Sequence, residues 1–117
     1  MARQSNEPVL WALFSAGGVI AAFVIPAHLF LLGLAFPLGW IPAPGYESLH
    51  ALALLPITRL YLFVLCFLAL FHWAHRFRYT LYDGLQIKHL NELIFACCYG
   101  GAILGTVVAG YLLWSFR

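Results

Sequence analysis

Charged side chains are scarce in this sequence: Asp, Glu, Lys and Arg together make up 9% of its 117 residues. A soluble domain carries about 25% charged residues, so the polar surface here is too small to keep the chain dissolved as a monomer. The net charge of +2 is small and scattered along the chain, which excludes the basic patch of a nucleic-acid binder. Cysteine is sparse as well. Cys66, Cys97 and Cys98 lie deep in apolar stretches without metal-type spacing, so they read as small hydrophobes and not as a disulfide framework or a zinc site. There is no Gly-rich dinucleotide motif and no cysteine cluster for an iron–sulfur centre.

What is present is apolar length. Hydrophobic residues reach 64% and aromatics 17%. Only Glu47 interrupts residues 8–58 with a charge, and nothing charged falls within 60–75 or 93–116. About 20 apolar residues cross a bilayer, so the pattern predicts an all-α integral membrane protein with three transmembrane helices, over about 9–35, 57–78 and 90–114 of a single membrane domain, 1–117. The first run is longer than a signal-peptide core and no small-residue cleavage site follows it, which argues against a cleaved leader. Pro8 suits a first helical turn, and Pro37, Gly39, Pro42, Pro44 and Gly45 punctuate the far end. Pro26 is expected to bend the first helix, a fault that membrane helices tolerate. Thr58 is a candidate cap for the second.

Basic residues set the expected orientation. The 37–56 connection has no Lys or Arg, whereas the connection after span two carries Arg76, Arg78 and Lys88. Placing the latter and Arg3 inside gives a cytoplasmic N-terminus and an outer C-terminus, with Arg59 and Arg117 snorkelling to the outer interface. Trp11, Trp73, Tyr79 and Tyr82 then form the inner aromatic belt, and Trp40, Tyr46, Tyr111 and Trp114 the outer one. In the third span Gly101, Gly105 and Ala109 recur every four residues, flanked by Gly100 and Gly110, a stripe that lets another helix approach closely. Three helices make a thin bundle, so a partner subunit is expected.

Polar side chains inside a membrane segment are costly and need a reason. His72, His75, Arg76, Tyr79 and Asp83 fall within roughly 60° of one direction at 100° per residue, forming a polar stripe near the inner end of span two. His75 beside Arg76 suits a ligand with carbonyl oxygens, because both side chains donate hydrogen bonds and His also exchanges protons. The alternative for each is an interfacial anchor, and for Arg78 the anchor is the preferred reading. At the same depth in span one, Trp11, Phe14, Ser15 and Gly18 share a face, an aromatic floor able to hold a planar ring. His28 and Tyr61 lie in the outer half.

The run Glu7-Pro8-Val9-Leu10-Trp11-Ala12-Leu13-Phe14-Ser15-Ala16-Gly17-Gly18 resembles the N-terminal signature of the fumarate reductase D-subunit, the smaller hydrophobic anchor of bacterial menaquinol–fumarate reductases. The resemblance continues through Phe36-Pro37-Leu38-Gly39, Arg59 and His75-Arg76, with Asp83 eight residues after His75, and covers nearly the whole chain. It implies a three-helix protein of the inner membrane that pairs with a second membrane anchor, the C-type one. Together these would hold a flavoprotein and an iron–sulfur subunit on the cytoplasmic face during anaerobic respiration. It also implies menaquinol oxidation near that face, with Trp11, Phe14, His75 and Arg76 as this chain's quinone-binding contribution. The family pattern has Gly where Ser15 stands and a histidine-rich stretch where Phe77-Arg78-Tyr79 stands, so no role is carried onto those positions.

Three functions follow from these features. The leading one is a non-catalytic anchor with menaquinol as shared ligand and no haem. A second is a haem-binding anchor of a succinate dehydrogenase, because His72 precedes Asp83 by eleven residues, the spacing of a haem-ligating His in those related anchors. An optical spectrum of the purified complex separates the two. A third, a small transporter, predicts a carboxylate within a span, and no acid lies within any of the predicted spans.

Overall fold

The computed structural model describes residues 7–117, so Arg3, which entered the expected orientation, lies outside the described residues. Among these residues there is no strand. Three helical segments, Pro8–Ala35, Pro56–Gly84 and Lys88–Ser115, are long and apolar enough to cross a membrane.

The first span is not one regular helix. Helix α1 (Glu7–Val19) leads into a π-helical turn at Ile20–Val24, then α2 (Ile25–Phe30), then a second π-turn at Leu31–Ala35. Pro26 lies in the first turn of α2. The Ile25 N–H, just before it, donates to the Ile20 carbonyl, five residues back. The ladder is widened where the proline ring and its missing N–H would disrupt an ordinary α-turn. The span closes at Gly39, whose φ of +72° is left-handed. Gly39 N–H bonds to the Phe36 carbonyl at 3.1 Å and Trp40 N–H to that of Ala35 at 2.9 Å, the paired bonds of a glycine-terminated Schellman cap.

The connection that follows is more ordered than its prolines suggest, for it contains a short helix, α3 (Tyr46–Leu54), with Glu47 in its first turn, where the helix dipole favours an acid. Leu55 is extended, as a residue before proline prefers, and Pro56 starts α4 (Pro56–Gly84). Leu55 is therefore the cap position and Thr58, expected there, lies inside the helix. Helix α4 also runs beyond residue 78 to Gly84, because its last turns still have a partner: Leu81 and Tyr82 pack on the core. A 3₁₀ turn at Lys88–Leu90 leads into α5 (Asn91–Ser115).

The core is thin and lies between α4 and α5. Ala74, Ile94, Cys98 and Ala102 are buried, the last three on one stripe of α5 at four-residue spacing. Burial of Cys98 agrees with its reading as a small hydrophobe. The small residues of α5 serve this contact. A Cβ on Gly105 would lie 2.9 Å from Leu70 Cδ1, and one on Gly110 would lie 3.2 Å from Phe63 Cε2, while Gly100 has nothing within 4 Å. Helix α1 meets the other side of α4 at Gly17, where a Cβ would fall 2.5 Å from the Leu68 carbonyl oxygen. Large apolar side chains such as Phe23, Leu104 and Tyr111 face outward, as hydrocarbon or a partner chain requires.

Candidate ligand groove

Where α1 begins and α4 approaches its end, the two helices flank an open groove of about 620 Å³ lined by Leu10, Trp11, Phe14, His75, Arg76 and Tyr79. All four residues singled out for a planar ligand, Trp11, Phe14, His75 and Arg76, are among these. Gly17 brings the helices together one turn deeper, so the groove has a closed floor and an open mouth. Phe14 lies between two histidines: its ring centroid is 4.5 Å from that of His72 and 4.8 Å from that of His75. Trp11 stands edge-on to both Phe14 and His75, at 5.9 and 6.2 Å. Tyr79 packs edge-on against the other side of His75 at 4.9 Å. The imidazole is thus held on both sides by aromatic rings, which favour such edge and tilted arrangements.

The hydrogen bonds separate the two histidines. His72 Nδ1 lies 3.0 Å from the carbonyl oxygen of Phe14, so it must donate, and His72 is a hydrogen-bonded histidine of the bundle. His75 Nδ1 lies 3.0 Å from the hydroxyl of Tyr99 on α5, which leaves its Nε2 for the groove. Arg76 is exposed at the mouth, and only its main-chain carbonyl is engaged by a described side chain, by Thr80 Oγ1 at 2.9 Å. A groove with flat apolar walls and two polar side chains at one end can hold a planar ring and hydrogen-bond oxygens on its edge.

Three expectations change. Ser15 is exposed and does not line the groove. Asp83, at the far end of the stripe, does not line the groove and faces Lys88 at 4.0 Å, an exposed pair that contributes little. Arg78, expected as an interfacial anchor, also packs among aromatic rings. Its guanidinium carbon lies 5.1–5.8 Å from the ring centroids of Phe95, Tyr82, Tyr79 and Tyr99, and its Nε donates to Tyr82 Oη at 2.9 Å. Tyr99 is a residue that sequence reasoning missed. Its only signal in the sequence is that a tyrosine hydroxyl within an apolar span needs some partner; nothing there pointed to His75.

At the other end, α2, α3 and α4 surround a second, almost wholly apolar cavity of about 720 Å³. Two of its polar side chains, His28 and Tyr61, are bonded to each other. His28 Nδ1 donates to the Val24 carbonyl at 2.7 Å, so in the neutral ring Nε2 accepts from Tyr61 Oη at 3.2 Å.

Comparison with known proteins gives a consistent result. The sequence profile of the fumarate reductase D-subunit family matches residues 1–114. The fumarate reductase D-subunit of Mycobacterium tuberculosis is 53% identical over 111 residues, covering 95% of this chain and 89% of that protein. Its Mycobacterium bovis counterpart gives the same figures, 53% over 111 residues. The D-subunit of Shewanella putrefaciens fumarate reductase is 36% identical over 109 residues, 92% of this chain and 88% of that protein.

Proposed function

The chain belongs to the fumarate reductase D-subunit family, and on that premise we propose that it is a non-catalytic, multi-pass anchor of a fumarate reductase complex in the bacterial inner membrane that helps to form a menaquinol site. Its partners are the flavoprotein subunit, the iron–sulfur subunit and the second, C-type membrane anchor. The basic end of the bundle, with Arg76, Arg78 and Lys88, faces the cytoplasm and the soluble subunits, and the C-terminus faces the periplasm.

The observation that carries this reading is the meeting of Trp11 and Phe14 from one span with His75 and Arg76 from another in one groove of about 620 Å³. That is within the ordinary range for small-molecule sites, roughly 300–1,000 Å³. Trp11 and Phe14 give a planar head apolar walls. His75 Nε2 and the Arg76 guanidinium are placed to hydrogen-bond its ring oxygens. Oxidation of a quinol to a quinone releases two electrons and two protons. The two protons leave to water at the open mouth of the groove; His75 Nε2 hydrogen-bonds a ring oxygen, and Arg76 steadies developing negative charge on oxygen, an effect enlarged by the low-dielectric surroundings. The electrons pass to the iron–sulfur clusters, then to flavin and fumarate, all in partner chains. His72 is assigned a packing role without haem, because its ring is stacked on Phe14 at 4.5 Å and one such histidine would supply only one axial ligand.

The test compares two rates in assembled complexes. Arg76→Leu and His75→Leu should lower menaquinol-dependent fumarate reduction about ten- to hundredfold, as expected for losing a hydrogen bond involving charge, worth roughly 1.5–3 kcal/mol. Fumarate reduction from a soluble artificial donor should persist. Normal menaquinol turnover by both variants would place the quinol site elsewhere.

A further inference from the structure

We propose that Tyr99, on α5 and outside the groove lining, is a positioning residue that sets the tautomer of His75, its hydroxyl donating to Nδ1 so that the imidazole proton resides on Nε2 facing the ligand. This rests on the quinol site proposed above. The Tyr99 oxygen is 3.0 Å from His75 Nδ1. A neutral imidazole has one donor and one acceptor nitrogen, and whatever one nitrogen bonds decides the other. A hydroxyl alone would leave the choice open, since it can donate or accept.

Arg78 biases that choice toward donation. Its guanidinium carbon is 5.8 Å from the Tyr99 ring centroid and cannot move freely, because Nε is bonded to Tyr82 Oη and the group also lies over Phe95 at 5.1 Å. A guanidinium only donates. Beside it, the favourable orientation of the phenol turns the oxygen lone pairs toward the cation and the O–H toward His75. Both rings are fixed as well: Tyr99 by Phe95 at 4.8 Å and Phe71 at 6.5 Å, His75 by Phe14 and Tyr79. The bond therefore acts on the proton's place, with the ring already held.

Tyr99→Phe tests this, because it keeps the ring and its neighbours and removes only the hydroxyl. In the whole complex, with rates normalised to fumarate reduction from an artificial donor, menaquinol-dependent turnover should fall about three- to tenfold. In a His75→Leu background the same change should have no further effect, since Tyr99 acts only through His75. Wild-type turnover by Tyr99→Phe alongside a slow His75→Leu would overturn the role of Tyr99 and leave the quinol site standing. Multiplying losses in the double variant would overturn it too, by showing that Tyr99 acts independently. Normal turnover by His75→Leu would remove the quinol site and this inference together.

Discussion

His72 of α4 lies face to face with Phe14 of α1, ring centroids 4.5 Å apart and planes 20° from parallel, while its Nδ1 donates to the Phe14 main chain. One histidine thus fixes both the ring and the backbone of the residue that floors the groove. His75, one turn further along, turns its ring to the opening. The two share a helix face and divide the work: one holds span one in place, the other lines the groove.

That contact depends on Gly17. A methyl group there would fall 2.6 Å from His72 Cβ and 2.5 Å from the Leu68 carbonyl oxygen, and neither is the free end of a flexible side chain. Gly17→Ala should push α1 off α4 and destabilise the bundle by about 1–3 kcal/mol. A lower melting temperature of the purified complex checks this, and quinol turnover should fall with it as Phe14 shifts.

The glycines of α5 should differ among themselves. Gly105→Leu forces a branched side chain against Leu70, so recovery of assembled complex should drop. Gly100→Ala meets open space within this chain and should leave recovery unchanged. Equal losses from both would mean that a partner helix covers Gly100.

Arg78→Leu should cost more than a surface arginine would. The guanidinium ties α4 to Phe95 and Tyr99 of α5. Cation–π contacts contribute roughly 0.5–1 kcal/mol when exposed and about 2 or more when desolvated, so a loss of about 1–3 kcal/mol is expected in thermal unfolding. Arg78→Lys should recover only part of it, since an ammonium lacks the planar stack.

Topology can be read with reporters. One fused after Arg117 should signal the outer compartment, and one inserted near Gly84 the cytoplasm, following the bias of Arg76, Arg78 and Lys88 against the 37–56 connection, which has no basic residue. The reverse pattern would invert the membrane face of the groove.

Much of this was legible in the sequence because membrane segments announce themselves by length. The convergence of Trp11, Phe14, His75 and Arg76 followed from two facts a sequence carries: helical periodicity and shared depth. What sequence did not carry was rotation of one helix against another. Helix α5 is apolar on nearly all sides, so no pattern said that Tyr99 and the Ile94–Cys98–Ala102 stripe turn toward α4. For the same reason Arg78 reads as a surface anchor until Phe95 and Tyr99 stand beside it. The π-turns around Pro26 and helix α3 depend on local backbone adjustment that residue types leave open.

Trp11 keeps 61% of its surface uncovered within this chain, so the groove stands open on one side, and in the complex proposed above another subunit supplies the missing wall. On that proposal a quinol seated there binds the assembled form more tightly than the separate chains. Linkage then requires that it stabilise assembly in return, by RT ln(1 + [L]/Kd), or about 2.7 kcal/mol when the ligand exceeds its dissociation constant a hundredfold. The respiratory substrate would thus act as a glue between polypeptides. Complexes stripped of quinol by detergent should come apart more readily than those purified with it.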